Sequence, residues 1–287
     1  MKKKNLNEVF ENIPCLLCGS GSSKVLYEGV DAPFVKQKTN LVQCRECGLQ
    51  YLNPLPKDVY FQKGYEGADE SGLYDAEPVD RYINFRGYLA EIEKYKKPPC
   101  KILDIGCCKG YFLKIARDNG WDAWGLEPSK KMAEYCRSQG FKTAKGTILA
   151  SSDLPSGSFD VVTLWDVIEH LRNPVPEFAK INGFLKKKGI VCFWTKDISS
   201  IRAKLMGRRY PFIASQHIIY FSPKTVDILM KKTGFRLLEI RRPALKMTVS
   251  RITKRMGIKS YFINRVAGGM IIPVSFRDNM LVLAEKV

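Results

Sequence analysis

Residues 101–127 read KILDIGCCKGYFLKIARDNGWDAWGLE. KILDI is short and apolar, with the composition of a buried strand, and it runs through Asp104 into a turn bounded by Gly106 and Gly110. YFLKIARDNG carries its apolar residues at helical spacing, with Gly120 as its stop signal. WDAWGLE is a second strand that closes on Glu127. Strand, turn, helix and strand form the unit from which parallel sheets are wound. The pattern continues outward. SKKMAEYCRSQG has Ser129 as a helix cap and Gly140 as a stop; FKTAK, FDVVTLW and GIVCFWT are further strands, and DNMLVLAEKV is the last. The expected fold is α/β, a doubly wound, mostly parallel sheet with helices on both faces.

Ligands of such sheets sit at the carboxyl ends of the strands. The turn after KILDI is not a dinucleotide fingerprint, because a GxGxxG frame starting at Gly106 places Cys108 and Tyr111 at the other two glycine positions. A GxxxxGK[ST] phosphate loop is also absent. What stands there is Asp-x-Gly-x-Cys-x-Gly, with Glu127 following 23 residues after Asp104. An acid at the end of the second strand is placed to bind ribose hydroxyls. The pattern therefore implies an adenosine ligand without a pyrophosphate anchor.

Upstream, Cys15-Leu-Leu-Cys18-Gly and Cys44-Arg-Glu-Cys47-Gly lie 25 residues apart. A CxxC turn aims two sulfurs at one point, and two such turns complete a tetrahedral thiolate site for a structural zinc ion. Two near-identical copies argue against a redox CxxC. The chain starts MKKK, but no apolar run follows, and no 18-residue apolar stretch occurs anywhere in the sequence. The expectation is a cytoplasmic protein whose nine cysteines act as thiols and metal ligands rather than disulfides.

At this point the chain resembles the class I S-adenosylmethionine-dependent methyltransferases. The resemblance runs from Lys101 to about Arg241 and is carried by ILDIGCCKGYFLKIA, WGLEPS and, most specifically, LPSGSFDVVTLWDVIEHLRNP. The paired knuckles followed by GLQYLNPLP also look like members of that superfamily acting on sugars and related metabolites. The resemblance implies a Rossmann-like methyltransferase fold with a small N-terminal zinc-binding module. It also implies S-adenosylmethionine as cofactor, with Asp104 fixing the turn and the amino-acid portion of the cofactor. Gly106, Cys107, Cys108 and Gly110 then lie against it, Glu127 takes the ribose hydroxyls, Thr147 and Ile148 flank the adenine, and Trp165 and Asp166 line the methionine side. Cys108 replaces the middle glycine of the usual DxGxGxG pattern, so Cys107 and Cys108 are small residues of a cofactor turn rather than a redox or metal pair.

Both histidines are candidate catalytic bases. His170 lies in Glu169-His170, and His217 lies in MGRRYPFIASQHIIYFSP. Sugar-modifying relatives carry a Glu-His pair in the latter stretch and use its His as base; Gln216 stands here in place of that Glu.

Charge is uneven along the chain. Residues 1–185 hold 25 Lys+Arg against 24 Asp+Glu, whereas residues 186–287 hold 22 against 5, a net of +17. Such asymmetry points to an anionic partner. Leu245, Val249, Ile252 and Met256 repeat at helical spacing among Lys246, Arg251, Lys254, Arg255 and Lys259. This suggests a basic amphipathic helix over 245–265 able to touch an anionic membrane peripherally, at the inner surface.

The expected organisation is a zinc-binding module over 1–60, a connecting helical segment over 61–99, and a methyltransferase domain over 100–287 with a basic C-terminal helical insertion at about 195–275. The expected function is methyl transfer to a small or lipid-linked, anionic acceptor such as a sugar, nucleotide-sugar or glycan. An RNA methyltransferase and a non-catalytic cofactor-binding scaffold are the alternatives, and nucleic acid is the less favoured partner because no RNA-type catalytic motif such as an NPPY tetrad is present.

Overall fold

A computed structural model describes residues 6–67, 78–151, 153–213, 216–255, 258 and 267–287. The N-terminal strands are β1 (Ser23–Asp31), β2 (Lys38–Cys44) and β3 (Gln50–Leu52). Helices α1 (Asp58–Gly67) and α2 (Pro78–Ile92) follow. The central sheet begins with β4 (Lys101–Ile105), α3 (Tyr111–Asp118), β5 (Asp122–Glu127), α4 (Lys130–Ser138) and β6 (Lys142–Lys145). It continues with β7 (Phe159–Trp165), α5 (Pro174–Phe184) and β8 (Leu185–Lys196). Then come α6 (Ile201–Met206), β9 (Ile219–Tyr220), α7 (Pro223–Lys232), β10 (Phe235–Arg241), β11 (Leu245–Thr248), α8 (Val249–Arg255), β12 (Ile271–Val274) and β13 (Asn279–Lys286).

The seven central strands lie in the order β10-β13-β8-β7-β4-β5-β6. β4 to β8 pair in parallel, and β13 runs antiparallel to both β8 and β10. The order reverses between β4 and β7, and the crevice at that switch point is where such a sheet binds ligands.

Alternation along the strands builds two cores, because successive residues face opposite sides. Leu103, Val162, Val191 and Val282 pack with Phe178 and Phe184 of α5 and Leu229 of α7. Ile102, Val161, Cys192 and Leu281 pack with Ile92 of α2 and with Phe112, Leu113 and Ala116 of α3. The helix signals hold: Gly120 and Gly140 follow α3 and α4 in the left-handed conformation, and the Ser129 hydroxyl caps α4 by accepting from the Met132 N–H.

The N-terminal strands form a second sheet whose order is β9-β3-β2-β1, with β9 lent by the distal half of the chain. Leu41 and Tyr51 of this sheet, with Leu49 just before β3, share the core of α5 and α7.

The distal half differs from expectation. The segment from about 195 to 275 is not a helical insertion, since β10 of the central sheet and the β11/β12 hairpin lie within it. Nor does a single helix run over 245–265. Leu245–Thr248 is a strand paired with Ile271–Val274, and among the described residues of that stretch the helix covers Val249–Arg255. Met256 and Lys259 lie outside the described residues.

Candidate active site

At the end of β4 the chain turns sharply. Gly106 has φ of 72°, and a Cβ there would meet the Val167 Cγ2 at 2.7 Å, so only glycine fits. Cys107 turns inward beside Cys136 and is buried in the core. Cys108 also has a positive φ, 49°, which a side chain rarely adopts. Its N–H donates to Glu127 Oε2 at 2.8 Å, while Glu127 Oε1 accepts from the Ser129 N–H at 3.0 Å. Glu127 therefore ties the turn after β4 to the start of α4. Asp104 is buried beneath the turn and accepts from the Thr163 hydroxyl at 2.7 Å. Burial pushes its carboxyl up to about 8, against the Thr163 hydrogen bond and with help from the Glu127 charge.

Across the switch point, β7 ends in Trp165 and Asp166. The Trp165 ring packs between Tyr88 (5.2 Å between centroids) and Phe112 (4.9 Å). One turn further on, Glu169 and His170 leave a short 3-10 segment, Ile168–His170. His217 arrives from the loop before β9. That loop is pinned at both ends of the contact: the Ile218 N–H donates to the Glu169 carbonyl at 3.0 Å, and the Leu52 N–H of β3 donates to the Ile218 carbonyl at 2.9 Å. The chain's two histidines thus meet, 4.9 Å between ring centroids. Glu169 is buried; its Oε2 accepts from the Thr195 hydroxyl at 3.1 Å, and its Oε1 lies 3.9 Å from His217 Nε2. Burial and then the neighbouring Asp166 charge push the Glu169 carboxyl up to about 8. Burial likewise lowers both imidazoles, which are therefore neutral at physiological pH.

These two ends face one cavity of about 590 Å³, a volume typical of small-molecule sites. Asp104, Gly106, Cys107, Cys108, Glu127, Thr147, Ile148, Trp165, Asp166, His170 and His217 all line it. Gly110 does not; it sits behind the turn against Phe141 and Cys136. Several lining residues escaped the sequence reading. Lys196, at the end of β8, lies over the rings of Trp194 (4.5 Å) and Phe212 (4.2 Å). Arg251 is ion-paired at 3.2 Å with the buried Asp80, so it belongs to the cavity wall rather than to a solvent-facing basic stripe. A carboxylate stands near His217 even though Gln216 supplies none: Glu169, 48 residues upstream, lies 3.9 Å from its Nε2. The only signal for it in the sequence was its adjacency to His170.

The four knuckle cysteines converge beside this assembly, with all four sulfurs within 4.8 Å of one another. Cys15 and Cys47 approach to 3.5 Å, as do Cys18 and Cys44. A tetrahedral zinc site separates its sulfurs by about 3.8 Å, so the set has the right size to hold an ion. Although burial opposes it, the main chain of Cys47 and Glu46 draws the Cys44 thiol down to about 7.

Residues 79–240, more than half of the chain, match the family model of a methyltransferase domain. The chain belongs to that family. This methyltransferase domain is 28% identical over 130 residues to the ubiquinone biosynthesis O-methyltransferase of Methylococcus capsulatus, covering 43% of this chain and 53% of the relative. It is 30% identical over 149 residues to a tRNA U34 carboxymethyltransferase of Campylobacter jejuni, covering 48% and 50%. The chain thus spans about half the length of the curated relatives it matches. Among solved structures, an S-adenosylmethionine-dependent methyltransferase from Archaeoglobus fulgidus superposes with a TM-score of 0.53 at 19% identity, covering 76% of this chain and 99% of that one. That likeness supports the fold: a Rossmann-like methyltransferase with a mostly parallel sheet.

Proposed function

We propose that this methyltransferase moves the methyl group of S-adenosylmethionine to an oxygen of a small acceptor. The observation that carries this reading is the convergence of the chain's two histidines on the same cavity as the Asp104–Glu127 turn, with the buried Glu169 close behind them.

The donor end fits the cofactor. A glycine whose Cβ would collide, a turn held by a buried carboxylate, and a second buried carboxylate beneath it suit a ligand with a ribose diol and a cationic amino-acid tail. Glu127 would take the ribose hydroxyls, Thr147 and Ile148 would flank the base, and Asp104 would face the cationic end. When bound, the cofactor supplies a methyl group already activated by its sulfonium. The chain's own residues then position the acceptor and assist the loss of its hydroxyl proton. Trp165 packs the wall against Tyr88 and Phe112, Phe212 stacks parallel to the His217 ring, and the Glu169/His170/His217 cluster would activate the acceptor oxygen.

Oxygen as the methylated atom follows the O-methyltransferase relatives. A sugar, nucleotide-sugar or lipid-linked glycan as acceptor rests on the knuckle resemblance, and an anionic group on it would meet Lys196 and Arg81 in the cavity. RNA is the second reading, favoured by the tRNA-directed relative and by the net +17 of residues 186–287. Incubation of cell extract with methyl-labelled donor separates them. Label in the small-molecule or lipid fraction supports the first reading, whereas label in ribonuclease-sensitive material replaces it with the second. Substitution of His217 by Ala should lower transfer by about 10²–10⁴-fold, the range for loss of proton-transfer help, while leaving donor affinity intact.

The four knuckle cysteines are proposed to hold one structural zinc ion, because four protein ligands leave no open position.

A further inference from the structure

We propose that Glu169, His170 and His217 form a divalent-cation site on the acceptor side of the cavity. This rests on the reading of that cavity as the place where the acceptor is activated, and it specifies how.

One carboxylate oxygen and one nitrogen from each imidazole lie within 4.8 Å of one another, close enough to be gathered onto a single ion by small rotations. The arrangement is unfinished without one. Glu169 Oε1 is fully buried and has no hydrogen-bond partner among the described residues. His217 Nε2 is 3.9 Å from it, beyond hydrogen-bond distance. A buried carboxylate oxygen left in that state is costly, and few are found in folded proteins.

The surroundings are those of ligands held for an ion. Metal-bound imidazoles usually give their other nitrogen to a main-chain carbonyl or a carboxylate, and metal-bound carboxylates are themselves hydrogen-bonded. Here His170 Nδ1 lies 2.9 Å from the Gln216 carbonyl, which leaves Nε2 for the cavity. The main chain of Phe212 hydrogen-bonds the His217 ring. The Thr195 hydroxyl donates to Glu169 Oε2, the oxygen that is not orphaned. Nearby Lys196 is drawn off toward Asn279 Oδ1 and over two aromatic rings. Gln216 therefore has a use that its side chain does not show: its carbonyl sets the orientation of His170.

Two imidazoles and one carboxylate favour a first-row divalent ion such as Mn²⁺, Fe²⁺, Co²⁺ or Zn²⁺ and leave positions open to the cavity. An acceptor hydroxyl bound at such a position loses its proton to water more readily, and its oxygen then forms the new bond to carbon as the carbon–sulfur bond of the donor breaks. In this scheme the histidines are ligands, and the ion lowers the pKa of the acceptor.

Mn²⁺ is the probe of choice, because four thiolates discriminate against it whereas imidazole and carboxylate do not. The full chain is titrated with Mn²⁺, and free ion is read by its electron paramagnetic resonance signal. Donor binding by calorimetry on the same samples reports folding and tests the donor site separately. One Mn²⁺ should bind per chain, and Glu169→Gln and His170→Gln should each weaken it at least tenfold while donor binding persists. Thr195→Val, a gentler change outside the ligand set, should weaken Mn²⁺ by about tenfold. Mn²⁺ that stays free at millimolar concentration, or binds equally well to Glu169→Gln, overturns the cation site whatever the donor does. Loss of donor binding in the wild-type chain overturns the donor reading alone.

Discussion

Cys108 shows how a residue can depart from a pattern and leave its geometry in place. Its φ of 49° is the left-handed conformation that a glycine would adopt without strain. Cys108→Gly should therefore stabilise the chain by about 1 kcal/mol in urea unfolding. Asp104 carries a different signature. Its carboxyl is raised to about 8 by burial, so the folded chain keeps a proton that the unfolded chain loses above about pH 4. The stability this contributes is complete in acid and declines as pH rises toward 8, and Asp104→Asn should flatten that decline. A cationic donor placed beside Asp104 would favour the carboxylate. Donor binding at pH 7 should then release protons, seen as a calorimetric enthalpy that varies with the ionisation enthalpy of the buffer. Asp104, Gly106 and Glu127 were legible in the sequence because strand ends and local turns set their places. Glu169 was not, because its partnership with His217 exists only after two distant loops are folded against each other.

Among the elements, β9 is the least conspicuous and the most consequential. It is two residues long, yet its pairing with β3 joins the knuckle sheet to the loop carrying His217. Removal of the zinc ion proposed for the knuckle should loosen β3 and pass that disorder to residues 217–220. Hydrogen exchange with and without a strong chelator tests this; faster exchange at Ile218–Tyr220 is expected, with the β4 and β7 amides unaffected. No sequence signal announced β9, since two residues carry no period. The misread helix at 245–265 has a related cause. Leu245 and Val249 are four apart, which suits a helix, but Leu245–Thr248 is pulled into a strand by Ile271–Val274, more than twenty residues away. The inner strands β4, β7, β8 and β13, by contrast, were plain in the sequence because each is dominated by buried apolar residues, whereas the edge strand β10, mostly half-buried and carrying charges, was not read as one.

Over the whole molecule, the net charge of +18 does not become a uniform basic surface. Lys186, Arg202, Lys231, Arg236, Arg241, Arg242 and Arg251 are all in ion pairs, several with acids contributed by other elements, such as Glu91 and Asp80. Part of this charge therefore ties the distal half to α2. Among the described residues no helix is long and apolar enough to cross a membrane. Peripheral contact with an anionic membrane is proposed from the remaining cations. Sedimentation with acidic but not neutral vesicles, released by salt, is the expected result, and no sedimentation at low salt would contradict it.

The central claim is that the turn after β4 and the carboxylate at the end of β5 together hold S-adenosylmethionine. Calorimetric titration of the donor into the wild-type chain and into Glu127→Ala tests it most directly. The account predicts one site per chain, weakened by about 1.5–3 kcal/mol in the variant, the scale for hydrogen bonds to a charged group. Equal affinity in the two proteins, or no binding to the wild type, would contradict it.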